Sequence, residues 1–167
     1  MKKFFAIISV VAALFVANSA QAQVTATVFE KGDNIISATV GYGWGFSQRF
    51  VYERAVASWL DGQLSVGVGA SVGNSVKFWY DGDISDRIYA GAVASCHYQF
   101  IDNLDTYVQL GAGVVTRLGY RYPYGLVGFD WTSSVGARWY FNYNFAVNAE
   151  FGYTAGSYFM AGVTYKF

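Results

Sequence analysis

The chain is poor in proline, cysteine, histidine and charge. It holds one Pro, one Cys and one His in 167 residues, and only 13% of its residues are charged. A single cysteine excludes an internal disulfide. Soluble domains average about 25% charged residues, so a fully solvated surface is not expected. The formal charge is zero, and loss of Lys2 and Lys3 would leave the remainder slightly acidic. That excludes the basic surplus of a nucleic-acid binder. No apolar run after Gln23 is long enough for a membrane-spanning helix. What is present is 20% aromatic residues and 19 glycines, a composition incompatible with disorder.

The first residues, MKKFFAIISVVAALFVANSAQAQ, have a basic start at Lys2 and Lys3, an apolar core from Phe4 to Ala17, and the small-x-small site Ala20-Gln21-Ala22. This is the pattern of a secretory signal peptide over 1–22. Cleavage after Ala22 predicts a mature chain of 167 − 22 = 145 residues, about one domain. Residues 23–33 are read as a short N-terminal periplasmic segment and 34–167 as one barrel.

Alternation of period two runs through residues 34–167. In the segment from Phe145, the residues Phe145, Val147, Ala149, Phe151 and Tyr153 alternate with Ala146, Asn148, Glu150, Gly152 and Thr154. From Phe159 to Phe167, large apolar residues again alternate with Met160, Gly162, Thr164 and Lys166. Bulky groups share one face; small, polar and charged groups share the other. A soluble barrel would carry its bulky apolar groups inside, whereas a barrel in lipid carries them outside. The predicted fold is therefore all-β: an eight-stranded antiparallel up-and-down transmembrane barrel. The segment Arg87–Phe100 places Ile88, Ala90, Ala92, Ala94, Cys96, Tyr98 and Phe100 toward lipid, which makes Cys96 a small lipid-facing hydrophobe.

The segment from Arg49 to Leu60 is the least regular. The Asp61-Gly62 hairpin signal puts Trp59 opposite Leu64. Unbroken alternation then turns Ala55, Ala57 and Trp59 outward and Arg54 inward, leaving Glu53 in lipid at a cost. A bulge near Tyr52 to Arg54 would return Glu53 to the interior. Both readings stay open. Elsewhere, face parity selects three-residue turns at 101–103 and 142–144, pairing Phe100 with Leu104, His97 with Tyr107 and Phe141 with Phe145. Tight turns at Asp61, Asp102 and Tyr143 alternate with loops at Phe46, Asp81, Tyr122 and Ala155. Trp59, Tyr98, Phe100, Trp139, Phe141, Phe145, Tyr165 and Phe167 gather at the tight-turn end, and Trp44, Trp131 and Tyr153 toward the other. These form two aromatic girdles. An even strand count puts both barrel termini at the tight-turn end, expected to be periplasmic in the outer membrane of a Gram-negative bacterium.

With this strand count, this turn alternation and the ending Tyr165-Lys166-Phe167, the chain resembles the small eight-stranded outer-membrane barrels: the OmpX, OmpA-transmembrane and opacity-type families. The resemblance spans the mature chain. It implies a structural, adhesive or surface-interaction role, and it implies that Tyr165 and Phe167 form the signal read by the barrel-assembly machinery. The loops are shorter than the adhesin pattern requires.

Inward charges of both signs are expected at Arg54, Asp105, Arg117, Asp130, Arg138, Glu150 and Lys166, with Arg87 near the mouth. An eight-stranded lumen is just filled by side chains, so these charges should pair. Glu150 is expected diagonal to Arg138. His97 is expected to bond Tyr107 or Gln99, with no Ser-His-acid cluster around it. Asp81 to Asp86 has alternating oxygen ligands but lacks the late Glu of a calcium loop and is read as a solvated acidic loop. Tyr120, Arg121, Tyr122 and Tyr124 are the candidate surface recognition residues, and Arg87, Arg117 and Arg121 could meet lipopolysaccharide phosphates. The expected function is a non-enzymatic outer-membrane barrel without cofactor or metal, with outer-membrane lipid, lipopolysaccharide and the assembly machinery as partners. A narrow polar pore is the alternative, and a lipid A-modifying barrel enzyme is the second.

Overall fold

The computed structural model describes residues 28–80, 82–119, 122–154 and 156–167, with backbone alone at 122–124. Eight strands follow one another: β1 (Asn34–Gly43), β2 (Phe46–Trp59), β3 (Leu64–Phe78), β4 (Ile84–Ile101), β5 (Leu104–Gly119), β6 (Tyr122–Tyr140), β7 (Phe145–Thr154) and β8 (Ser157–Lys166). Each pairs antiparallel with its sequence neighbours, and β1 pairs with β8 to close the barrel. This is the predicted eight-stranded up-and-down transmembrane architecture. Closure pairs each strand with two neighbours around the wall, the condition for strands to lie in hydrocarbon; at the loop end β6 runs past β7, and Leu126 to Thr132 pair with β5 alone.

The faces are inverted relative to a soluble protein. Among the described residues, the buried set is dominated by Ser, Thr, Arg, Asp, Glu, Gln, Asn, His and Lys, while Phe129 is 74% exposed and Trp131 is 55% exposed. The β4 alternation is as read, with Tyr89, Ser95, His97 and Gln99 buried and Ile88 and Cys96 outward. An aromatic row marks the end that carries the tight turns. Tyr98 lies 4.6 Å from Phe100, Phe145 lies 4.8 Å from Tyr165, and Phe141 and Tyr165 stack on Phe145 and Phe167 respectively. Both ends of the barrel chain meet there: Asn34 and Phe167 exchange backbone hydrogen bonds of 3.2 and 2.9 Å. We call this the terminal end and its opposite the loop end.

Three local expectations change. First, β2 carries its irregularity at Ala55/Ala57, below the positions considered, and Val56 is the extra residue. Trp59 still opposes Leu64. Upstream of Val56 every face flips, so Glu53 is fully buried, Arg54 is exposed and Ala55 points inward. Arg54 therefore does not belong to the interior charge set. A carboxylate is accommodated inside, while a long guanidinium stem near the end of the barrel can lie along an apolar surface. Second, the 101–103 connection is a two-residue turn plus a bulge at Phe100. Ile101, not Phe100, opposes Leu104, and Asn103 takes the left-handed conformation at φ 65°. His97 still opposes Tyr107. Third, the strands run further into the loop end than read. β2 begins at Phe46, and β5 and β6 extend until Gly119 opposes Tyr122.

Residues 28–33 enter the terminal mouth. Val28 packs with Tyr140 and Ala146, and Phe29 with Ile35 and Ala55. The Val28 amide donates to Gln99 Oε1 at 3.0 Å. Asp33 and Gly32 continue the β1 edge by exchanging backbone bonds with Ala55.

Candidate functional site

Functional side chains converge in the lumen because period-two alternation sends every second residue of each strand to one axis. In the terminal half, His97 on β4 is the centre. Its Nδ1 lies 3.0 Å from both oxygens of Asp105, and its Nε2 lies 2.6 Å from Glu53 Oε1 and 2.9 Å from Ser95 Oγ. Both ring nitrogens face carboxylates, an arrangement that two N–H donors satisfy fully. Arg138 on β6 donates to Asp105 Oδ2 at 3.0 Å and to Glu53 Oε2 at 3.4 Å. Its guanidinium lies 4.0 Å over the Tyr107 ring. The Tyr107 hydroxyl donates to Glu150 Oε1 at 2.8 Å, and Arg49 donates to Glu150 Oε2 at 2.8 Å and to Gln109. Gln109 Nε2 returns to Glu53 at 3.5 Å. The circuit thus joins β2, β4, β5, β6 and β7.

Room for the circuit comes from glycine. A Cβ at Gly67 would collide with the Glu53 carboxylate, and one at Gly136 with the Tyr107 ring. The space beside Gly67 of β3 is therefore filled by the Glu53 carboxylate.

The other expected charges lie apart. Lys166 reaches Asp33 at 3.6 Å and lies 3.9 Å over the Tyr143 ring at the terminal rim. Near the loop end Arg87 pairs with Asp130, and the Tyr153 hydroxyl donates to Asp130 at 3.1 Å. Tyr153, read as a girdle residue, lies 5.5 Å from outward Trp131 yet turns its hydroxyl to this pair. Arg117 is half-buried opposite Arg87 and makes no ion pair among the described residues. Tyr120 and Arg121 lie outside the described residues, as does Asp81 of the acidic loop; Tyr122 and Tyr124 are placed in β6 by backbone only.

Two expectations about His97 are corrected. Its hydrogen bonds go to Asp105 and Glu53, not to Tyr107 or Gln99, because both carboxylates stand closer to the ring nitrogens. A Ser95–His97–Asp105 arrangement does form. It has the connectivity of a hydrolytic triad, yet Glu53 accepts from Ser95 and also occupies His97 Nε2. Phe29 covers the ring at 4.5 Å, and Ser95 is only 4% exposed. His97 Nε2 and the Ser95 hydroxyl both face Glu53, so among the described residues Ser95 meets no unoccupied base. The arrangement is a piece of the ion-pair circuit.

Arg49 is the member that sequence reasoning missed, while an inward Glu53 is one of the two readings the sequence leaves open. The available signal is in Phe46–Glu53: Phe46, Phe50 and Tyr52 share one parity, and Ser47, Arg49, Val51 and Glu53 the other.

No protein-family profile and no curated protein sequence matches the chain. Solved structures do. Ail, the attachment invasion locus protein of Yersinia pestis, aligns with a TM-score of 0.51 at 16% identity over 82% of this chain and 99% of that one, in a complex with the heparin analogue sucrose octasulfate. A de novo designed transmembrane β-barrel aligns with a TM-score of 0.52 at 17% identity over 83% of this chain and 98% of the design. These likenesses establish the fold: this chain is built as the small eight-stranded transmembrane barrels are.

Proposed function

We propose that the chain is a non-enzymatic outer-membrane barrel of a Gram-negative bacterium, with a structural role in the envelope and a capacity for surface interaction at its loop end. The carrying observation is the buried circuit around His97 and Arg138, which fills the terminal half of the lumen with mutually paired charge from five strands. Phe29 and Val28 add an apolar stopper below it. A lumen so occupied supports a closed staple more than a conduit. Residues 1–22 act as the secretory signal, both barrel termini are periplasmic, and Tyr165 with Phe167 guides recognition by the assembly machinery. At the outer mouth, Arg117 is free of ion pairs among the described residues and suits lipopolysaccharide phosphate.

Two measurements test the proposal. The isolated outer-membrane fraction should give a band that migrates differently before and after boiling in SDS; a soluble periplasmic protein with one band position would overturn the assignment. Purified protein in planar bilayers should give no conductance above background. A steady conductance changed by Glu150→Gln would replace the staple with a narrow pore. Lipid A masses should be the same with overexpressed wild type and with His97→Ala.

A further inference from the structure

Arg54 is a cation on the outward face of β2. It stands between Asn34 of β1 and Val68 of β3, and it makes no ion pair among the described residues. On one side its outward neighbours Ile36 and Val68 are apolar, at 45% and 44% exposed. Beside it is a fixed polar bracket: the Tyr52 hydroxyl donates to Asn34 Oδ1 at 2.9 Å, and Asn34 Nδ2 donates to the Gly32 carbonyl at 3.2 Å. Exposed Lys31 precedes Gly32, which is itself tied to the β2 backbone at Ala55.

The depth of this group follows from the seam. Asn34, its partner on β1, exchanges backbone bonds with Phe167 in the aromatic row of the terminal end. Arg54 is therefore level with the girdle, where hydrocarbon gives way to headgroups. An arginine at mid-membrane is costly, but the cost falls away toward the interface, the depth at which lipid phosphates lie. Its planar fork suits two phosphate oxygens at once.

We propose that Arg54, with the Asn34–Tyr52 bracket and Lys31 beside it, is a binding site for the phosphate of an anionic phospholipid in the leaflet at the terminal end. The inference rests on the barrel lying in a bilayer, as the proposed function has it. The site holds one lipid against the β1–β2 face and fixes how deep the barrel sits.

The test uses the full mature protein folded into nanodiscs of phosphatidylcholine and phosphatidylglycerol in equal parts, released and weighed by native mass spectrometry. Phosphatidylglycerol should be retained over phosphatidylcholine by about fivefold, the ratio expected of one well-placed cation at a membrane surface. Arg54→Gln should bring the ratio close to one, Arg54→Lys should restore part of it, and Lys31→Gln should reduce it less. Equal retention of both lipids by wild type, or unchanged enrichment in Arg54→Gln, overturns the site. Displacement of the lipid by millimolar inorganic phosphate would assign the site to a soluble anion and overturn the lipid. Each variant is first shown to shift on boiling in SDS. Failure to enter nanodiscs at all would instead count against the barrel's membrane placement.

Discussion

The two halves of the lumen are built from different chemistry. The terminal half is held by ionisable groups: Glu53, Asp105 and Glu150 meet Arg49 and Arg138, with His97 between two of the carboxylates and side chains 0–2% exposed. The loop half is lined by hydroxyls. Ser47 and Ser75 bond each other, Ser85, Thr154 and Ser157 are buried nearby, and Arg87 with Asp130 is the one ion pair there among the described residues. A charged circuit is satisfied by one set of distances, so it specifies strand register across the barrel. Small hydroxyls rotate to new partners and tolerate strands of unequal length. The rim accordingly varies, with β6 running 19 residues and β7 only 10. The difference teaches that specificity is concentrated where the chain ends meet, and freedom is left where loops would face partners.

Breaking the charged half should have the largest effect. Arg138→Met leaves Glu53 and Asp105 on either side of His97 with no arginine partner. Removing one partner of such a buried set costs roughly 3–5 kcal/mol, expected as a large drop in the urea midpoint of the refolded barrel. The Glu53→Gln, Arg138→Met double variant should lose less than the sum of the singles, since each removes the other's stranded charge. Gly136→Ala comes next. Its added methyl meets the Tyr107 ring and displaces the hydroxyl from Glu150, for about 1–3 kcal/mol by overpacking. Ser47→Ala in the loop half is the smallest, about 0.5–1.5 kcal/mol for one hydrogen bond. If Ser47→Ala matched Arg138→Met, the two halves would not differ as described.

Faces were legible in the sequence wherever alternation ran unbroken, as from Ile88 to Gln99, because side-chain direction there depends on parity alone. One inserted residue, Val56, was enough to reverse Arg54 and Glu53, since a single step exchanges the two faces of everything upstream. Partners across the lumen were less legible. Adjacent-strand register could pair His97 with Tyr107, but Arg49 with Glu150 joins β2 to β7, 101 residues apart. No nearest-strand argument reaches that far. Phe29 was hidden for another reason: the segment before Asn34 has no alternation, and its place in the mouth is set by the cavity it fills.

The β1–β8 seam has a kinetic meaning. Ser37 and Thr164 bond at 2.8 Å across 127 residues of sequence, and the same seam joins Asn34 to Phe167. Every other strand pair is a hairpin that can form beside its own turn, whereas this pair waits for all of them. Closure is therefore the slow, late event of assembly. Until it happens, β1 and β8 each present an open row of amides and carbonyls to any strand nearby. A chaperoning surface that covers those two edges would set the rate at which the barrel appears in the membrane.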